Sequence, residues 1–187
     1  MSPRNTLIRS MHDLGAAAWF GGSLMGALGV NGAAAAVADP TDRAKVAAAG
    51  WAKWAPVNAA AIGAHLLGGT GLLLANRGRA AHQAGVRANT VTKLVVTGLA
   101  LGTTAYSGIL GAKTAQGDGH HVTGATEPSA TTPPDVAAAQ KQLKVLQWVT
   151  PVLTAAIVVL GAQQGEQQRP TQIVRGLTTT LGRRTGR

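Results

Sequence analysis

His65 is the first residue that could do chemistry. It lies near the middle of residues 56–76, PVNAAAIGAHLLGGTGLLLAN, a stretch with no other ionisable side chain. An imidazole at mid-bilayer is costly, turns toward the inside of a helix assembly, and marks a functional site by default. Two readings stand for it. Either it handles a proton or cation, or it is a neutral ring bonded to a threonine or carbonyl that glues helices together. Asn58 shares its helical face two turns earlier, and polar groups of the last apolar stretch are also within reach. His12 and Asp13 stand at the head of the first apolar stretch. Asp13 is four residues from Arg9, so a weak surface ion pair accounts for it, and an entry to a proton or ion path is the alternative. His65, Asn58, His12 and Asp13 are therefore the candidate interior polar site.

Other chemistries fit less well. Asp118, His120 and His121 form a DGHH group that could ligate copper, zinc or nickel, but so tight a spacing among glycines defines no geometry, and weak adventitious binding is the expectation. Haem between two histidines needs both ligands at one depth. His12 is at the edge of its stretch, whereas His65 lies some ten residues, roughly 15 Å, into its own. His82, His120 and His121 fall in connections, so no pair matches and haem is not expected. There is no P-loop, HExxH, GxGxxG or Ser-His-Asp order, and the absence of cysteine removes thiolate chemistry. The expectation is a protein that is not an enzyme and has no cofactor.

The elements that must hold these residues are apolar rods. Of 187 residues, enough for one domain, only 13% are charged and 45% are apolar. Uncharged runs near twenty residues in such a chain belong to the membrane class. The runs predict spans at about 14–37, 55–76, 94–112 and 145–164. Ala36-Val37-Ala38 before Asp39 resembles the end of a signal peptide, but an apolar run this much longer than about 7–15 residues favours a retained helix. Residues 39–55 read as a short interfacial helix, with Trp51 and Trp54 at headgroup level, and 77–93 as a basic connection. Lys93, at the edge of the third run, reads as a lysine that extends its ammonium to the interface. Residues 113–142, rich in Gly, Thr and Pro, predict a flexible outer loop, and 166–187 a basic tail with Ile173, Leu177 and Leu181 at helical spacing.

The fold class expected is all-α, an integral membrane four-helix bundle with both termini cytoplasmic. Eleven of the seventeen lysines and arginines lie on the side of the termini and of residues 77–93, and five of the seven acids lie on the other. Basic residues stay inside, which also explains the net charge of +10 without nucleic acid. Spans in lipid are held by close packing and polar contacts. Gly22 with Gly26, and Gly98 with Gly102, form GxxxG pairs suited to admitting a neighbouring backbone. His12, Gly15, Trp19, Gly22, Gly26, Gly29 and Ala33 make one face of the first helix, and Gln147, Thr150, Thr154 and Gly161 one face of the last.

HDLGAAAWFGGSLMGA, residues 12–27, resembles the first helix of the copper-resistance D family and of related four-helix membrane domains, through His12, Trp19, Gly21 and Gly22. The resemblance covers under a fifth of the chain. It implies a four-helix membrane domain linked to copper or to the respiratory membrane. The Ala, Gly, Thr and Arg content resembles that of proteins from high-GC bacteria. The function expected is a non-catalytic scaffold or accessory subunit in the cytoplasmic membrane, partnered by lipids and by other subunits or itself. The alternative is a small transporter or metal-handling (copper-type) protein using the interior around His65.

Overall fold

The computed structural model describes residues 3–82, 84–116 and 119–167, and they are all-α. The first rod comprises α1 (Pro3–Met25), a π turn (Gly26–Val30) and α2 (Asn31–Ala35) in unbroken succession. Three more follow: α3 (Arg43–His82), α4 (Ala84–Ala115) and α5 (Pro134–Gln167). Three helices contain a segment long and apolar enough to cross a membrane: Arg43–Ala75, Arg87–Ala115 and Pro134–Gln163. The remaining expected span, 14–37, is divided among α1, the π turn and α2. α1 also begins with a polar stretch running to Asp13, which lowers its apolar content.

Every long helix runs past the apolar stretch that announces it. α3 absorbs residues 43–55, expected as a separate interfacial helix, and keeps Pro56 inside it. Proline removes one donor but does not end a helix whose neighbours cover the freed groups. α3 and α4 together take up almost all of 77–93, leaving position 83 between their bounds. Alanine and arginine there are good helix formers, and no proline intervenes. α5 begins at Pro134, not near 145. Proline suits the first helical position because its missing N–H would be unpaired there anyway, and Asp135 in the first turn suits the dipole.

α1 packs against α3 and α5, while α4 packs against α5 and α3. The core is made of small residues around one large ring. Ala16, Trp19, Ala100 and Ile157 are buried together, with Ile62, Val96, Leu101 and Leu153 against them. The large apolar side chains point outward instead: Leu14, Leu67, Ile109 and Val152 are each exposed by about two thirds. At the end of the molecule away from Pro3, Ala34, Ala47 and Ala125 form a second small core.

Ala125 belongs to the segment expected to be a flexible loop, and here the structure corrects the sequence reading. Residues 119–133 form a cap seated on the helix ends. Val122 is fully buried and bridges to Pro128. Arg43 donates from Nε to Val37 O at 2.9 Å and from Nη1 to Thr123 O at 2.8 Å. Gln140 donates to Gly124 O at 3.0 Å and Ala125 O at 3.2 Å. The cap is held mainly through its backbone carbonyls, so it shows no apolar period. Beside it, the Thr41 hydroxyl and backbone N–H donate to Asp39 at 2.6 and 2.9 Å and hold that carboxyl below the usual carboxylate range.

Candidate functional site

Two glycines bring α1 and α3 into backbone contact. A methyl on Gly15 would collide with Ala61 O and lie 2.6 Å from His65 N, and one on Gly68 would lie 2.5 Å from both His12 N and Ile8 O. No other residue type fits either seat without moving a helix. The two helices run antiparallel, so this contact lays the start of α1 along the later half of α3.

His12 and His65 meet between those glycines. Both are 3% exposed. Their ring centres are 4.3 Å apart with planes inclined at 41°, and the Trp19 ring stands 6.2 Å from His65. His65 Nδ1–H donates to His12 O at 3.1 Å, and His12 Nδ1–H donates to Asp13 Oδ1 at 2.8 Å. A carbonyl and a carboxylate can only accept, so in each neutral ring the proton sits on Nδ1 and the Nε2 lone pair is left free. Lys93 of α4 completes the group. The point where Gly161 would carry a methyl lies 3.8 Å from both Asp13 Oδ1 and Lys93 Nζ.

Three of the four expected interior residues thus gather: His12, Asp13 and His65. The two histidines, expected at different depths, lie side by side, which corrects the expectation. Depth counted from the edge of each apolar run misleads because the helices extend beyond those edges. The rings lie against each other, whereas the two axial ligands of a haem lie on opposite faces of the porphyrin. Asn58, the fourth, is seven residues from His65, and its Oδ1 is buried without a hydrogen-bond partner among the described residues. Lys93, expected merely to reach the interface, is the site residue that sequence reasoning misses. Its signal is that it is the only charge bordering the third apolar run on that side.

Next to the histidines, toward the cap, lies the apolar layer of Ala16, Trp19, Ala100 and Ile157. Trp19 Nε1–H crosses it to Thr104 Oγ1 at 3.1 Å. Further on, Trp51 Nε1–H donates to Asn31 Oδ1 at 2.9 Å, and Asn31 Nδ2 donates to Gln147 Oε1 at 2.9 Å. Asn31 owes its place to the π turn. The buried face of α1 runs through His12, Gly15, Trp19 and Gly26, then skips the expected Gly29 and Ala33 for Asn31 and Ala34. One extra residue in the turn rotates the rest of the rod.

The packing glycines divide. Gly22 and Gly26 seat the indoles of Trp54 and Trp51, not a backbone, and this also removes both tryptophans from the role of free interfacial anchors. Gly98 and Gly102 are exposed, with nothing within 4 Å of an added methyl, so their pair admits no helix among the described residues. On the last helix, Thr150 and Thr154 are buried as their stripe requires. Of the DGHH group, Asp118 lies outside the described residues, and His120 and His121 are exposed. Among the described residues no cluster of three or more histidines, cysteines or acids is placed to hold a metal ion. The tail from residue 168, with Ile173, Leu177 and Leu181, also lies outside the described residues. Compared with protein-family models, curated proteins and solved structures, the chain matches none.

Proposed function

We propose that this chain is a multi-pass protein of the cytoplasmic membrane that serves as a non-catalytic scaffold or accessory subunit. Three helices have the length and apolar outer faces of spans. The first rod lies along α3 from Ile8 at Gly71 to Val30 at Gly50, so it crosses wherever α3 crosses. That makes a four-helix membrane bundle with both termini, the α3–α4 junction and most of the basic residues on the cytoplasmic side. One observation carries the scaffold reading over a transport one. The buried ionisable cluster stops at the layer of Ala16, Trp19, Ala100 and Ile157, and the interior network next beyond it, Trp51, Asn31 and Gln147, does not titrate. Among the described residues no relay of titratable groups therefore continues through the interior from the histidines to the cap.

The second reading, a small transporter or metal-handling protein of the copper type, draws on the gathering of His12, Asp13 and His65. His65→Ala separates the two. Loss of assembly with partner subunits alone supports the scaffold, and loss of transport or metal uptake with an intact protein supports the rival. Topology is tested independently, and the lack of native cysteine makes it direct. A cysteine at Thr131, exposed in the cap, should react with an impermeant maleimide on intact cells, and one at Thr6 only after permeabilisation. Equal labelling of both, or release of the protein without detergent, sinks the membrane topology.

A further inference from the structure

We propose that His12 and His65 form a proton-operated latch on the α1–α3 seam: the neutral pair keeps the seam closed, and protonation of both rings drives α1 away from α3. The contacts involved all lie within the chain, so the latch does not depend on which partner or cargo the protein serves. Each ring has its Nδ1–H already committed, to His12 O and to Asp13 Oδ1. An incoming proton can therefore only take Nε2, and each proton taken adds a full charge to the seam. Among the described residues the charged groups acting on the pair are Asp13 on α1 and Lys93 on α4, with Arg9 acting on Lys93, while α5 presents Gly161 there. Only one group acting on the rings is an anion. Asp13 can balance one imidazolium, to which it is already bonded, but a second one would lie 4.3 Å from the first. In a buried site like charges at that distance repel strongly.

The rings cannot relieve the repulsion by sliding within the seam. Gly15 and Gly68 hold the backbones in contact directly on either side of them. The motion left is separation of the helices, which breaks the bond from His65 Nδ1 to His12 O. Asp13 gives protons a way in, since its side chain is 53% exposed while His12 is buried. The latch therefore answers to the compartment at the Pro3 end of α1 and not to the one beyond the cap.

The test is a distance measurement across the seam. Nitroxide labels on cysteines at Leu14 and Leu67, both exposed, would be placed on the full chain in lipid nanodiscs. Double electron–electron resonance would be recorded between about pH 7.5 and about pH 3.5, a range that extends below the one over which exposed imidazoles gain a proton. The wild-type distribution should move to longer distance on acidification. His65→Gln and His12→Gln, each leaving one titratable ring, should keep the neutral distribution throughout. Asp13→Asn, which removes the balancing anion found among the described residues and so makes both rings harder to protonate, should open at lower pH than wild type. Should either glutamine variant fail to show the neutral distance, the Asp13→Asn shift decides in its place. A wild-type distance unchanged by pH overturns the latch. So does opening of both glutamine variants in parallel with wild type, or an Asp13→Asn midpoint that does not fall.

Discussion

The two buried histidines differ in what fixes them, and the difference can be measured. His12 is oriented by its sequence neighbour, Asp13, while His65 is oriented by the backbone carbonyl of a residue 53 positions away. The first contact survives if the helices part, and the second does not. In protein labelled with 15N-histidine, both rings at neutral pH should show a protonated Nδ1 and a bare Nε2, identified by the loss of each signal in His12→Gln and His65→Gln. A ring carrying its proton on Nε2 would mean that the bond assigned to it here is not made. The same spectra distinguish the two anchors. Gly68→Val, which wedges the helices apart, should scramble the tautomer of His65 and leave that of His12 in place.

At the scale of the helices, glycine does opposite things at the α1–α3 seam and on α4. Gly15 and Gly68 are seats for a neighbouring backbone, and a methyl there meets main-chain atoms that cannot rotate away. Gly98 and Gly102 open onto empty space. Gly15→Ala and Gly68→Ala should each cost about 1–3 kcal/mol, the usual cost of overpacking, whereas Gly98→Ala and Gly102→Ala should stay within about 0.5 kcal/mol of wild type. Reversible unfolding in mixed micelles gives both values, and the reverse ranking would refute the assigned register. This contrast also marks how far the sequence can be read. The α-class, the apolar rods and the special position of His65 follow from composition and spacing, because the cost of charge in lipid acts on each residue separately. Which glycine meets which helix does not follow, since a GxxxG pair states only that the residues are small. The buried face of the first rod is legible as far as Gly26. Beyond it the π turn adds a residue, and Asn31 takes the buried position that a regular helix would give to Val30. His12 and His65 are each visible in the sequence, but their meeting depends on helices that outrun their apolar stretches, a property set by the helix propensity of the flanks and not by hydropathy.

Taken whole, the molecule is asymmetric from end to end. The Pro3 end holds the buried ionisable cluster, the middle is an apolar layer around Trp19, and the far end is closed by a cap pinned through its carbonyls. Such an arrangement makes the two ends chemically different even though it is built mostly from alanine, glycine and threonine. The cap depends on two donors that approach from different helices, Arg43 at the start of α3 and Gln140 in the second turn of α5. Because the cap has little apolar surface of its own beyond Val122 and Ala125, losing Gln140 leaves the buried Ala125 carbonyl without its donor, at about 1–3 kcal/mol, and losing Arg43 removes charge-assisted bonds to Val37 O and Thr123 O of similar worth. Arg43→Met and Gln140→Leu keep most of the side-chain volume while removing the donors. Each should raise proteolytic cleavage within residues 119–133 by about tenfold or more, as expected when local opening becomes easier by that amount, while the helical circular dichroism stays at the wild-type level. The double variant should be cleaved faster than either single one, because the donors hold neighbouring carbonyls of one segment. Cleavage rates equal to wild type in all three would mean that the cap is held by its small apolar contacts and not by its backbone, and the reason given for its missing hydrophobic period would fail with it.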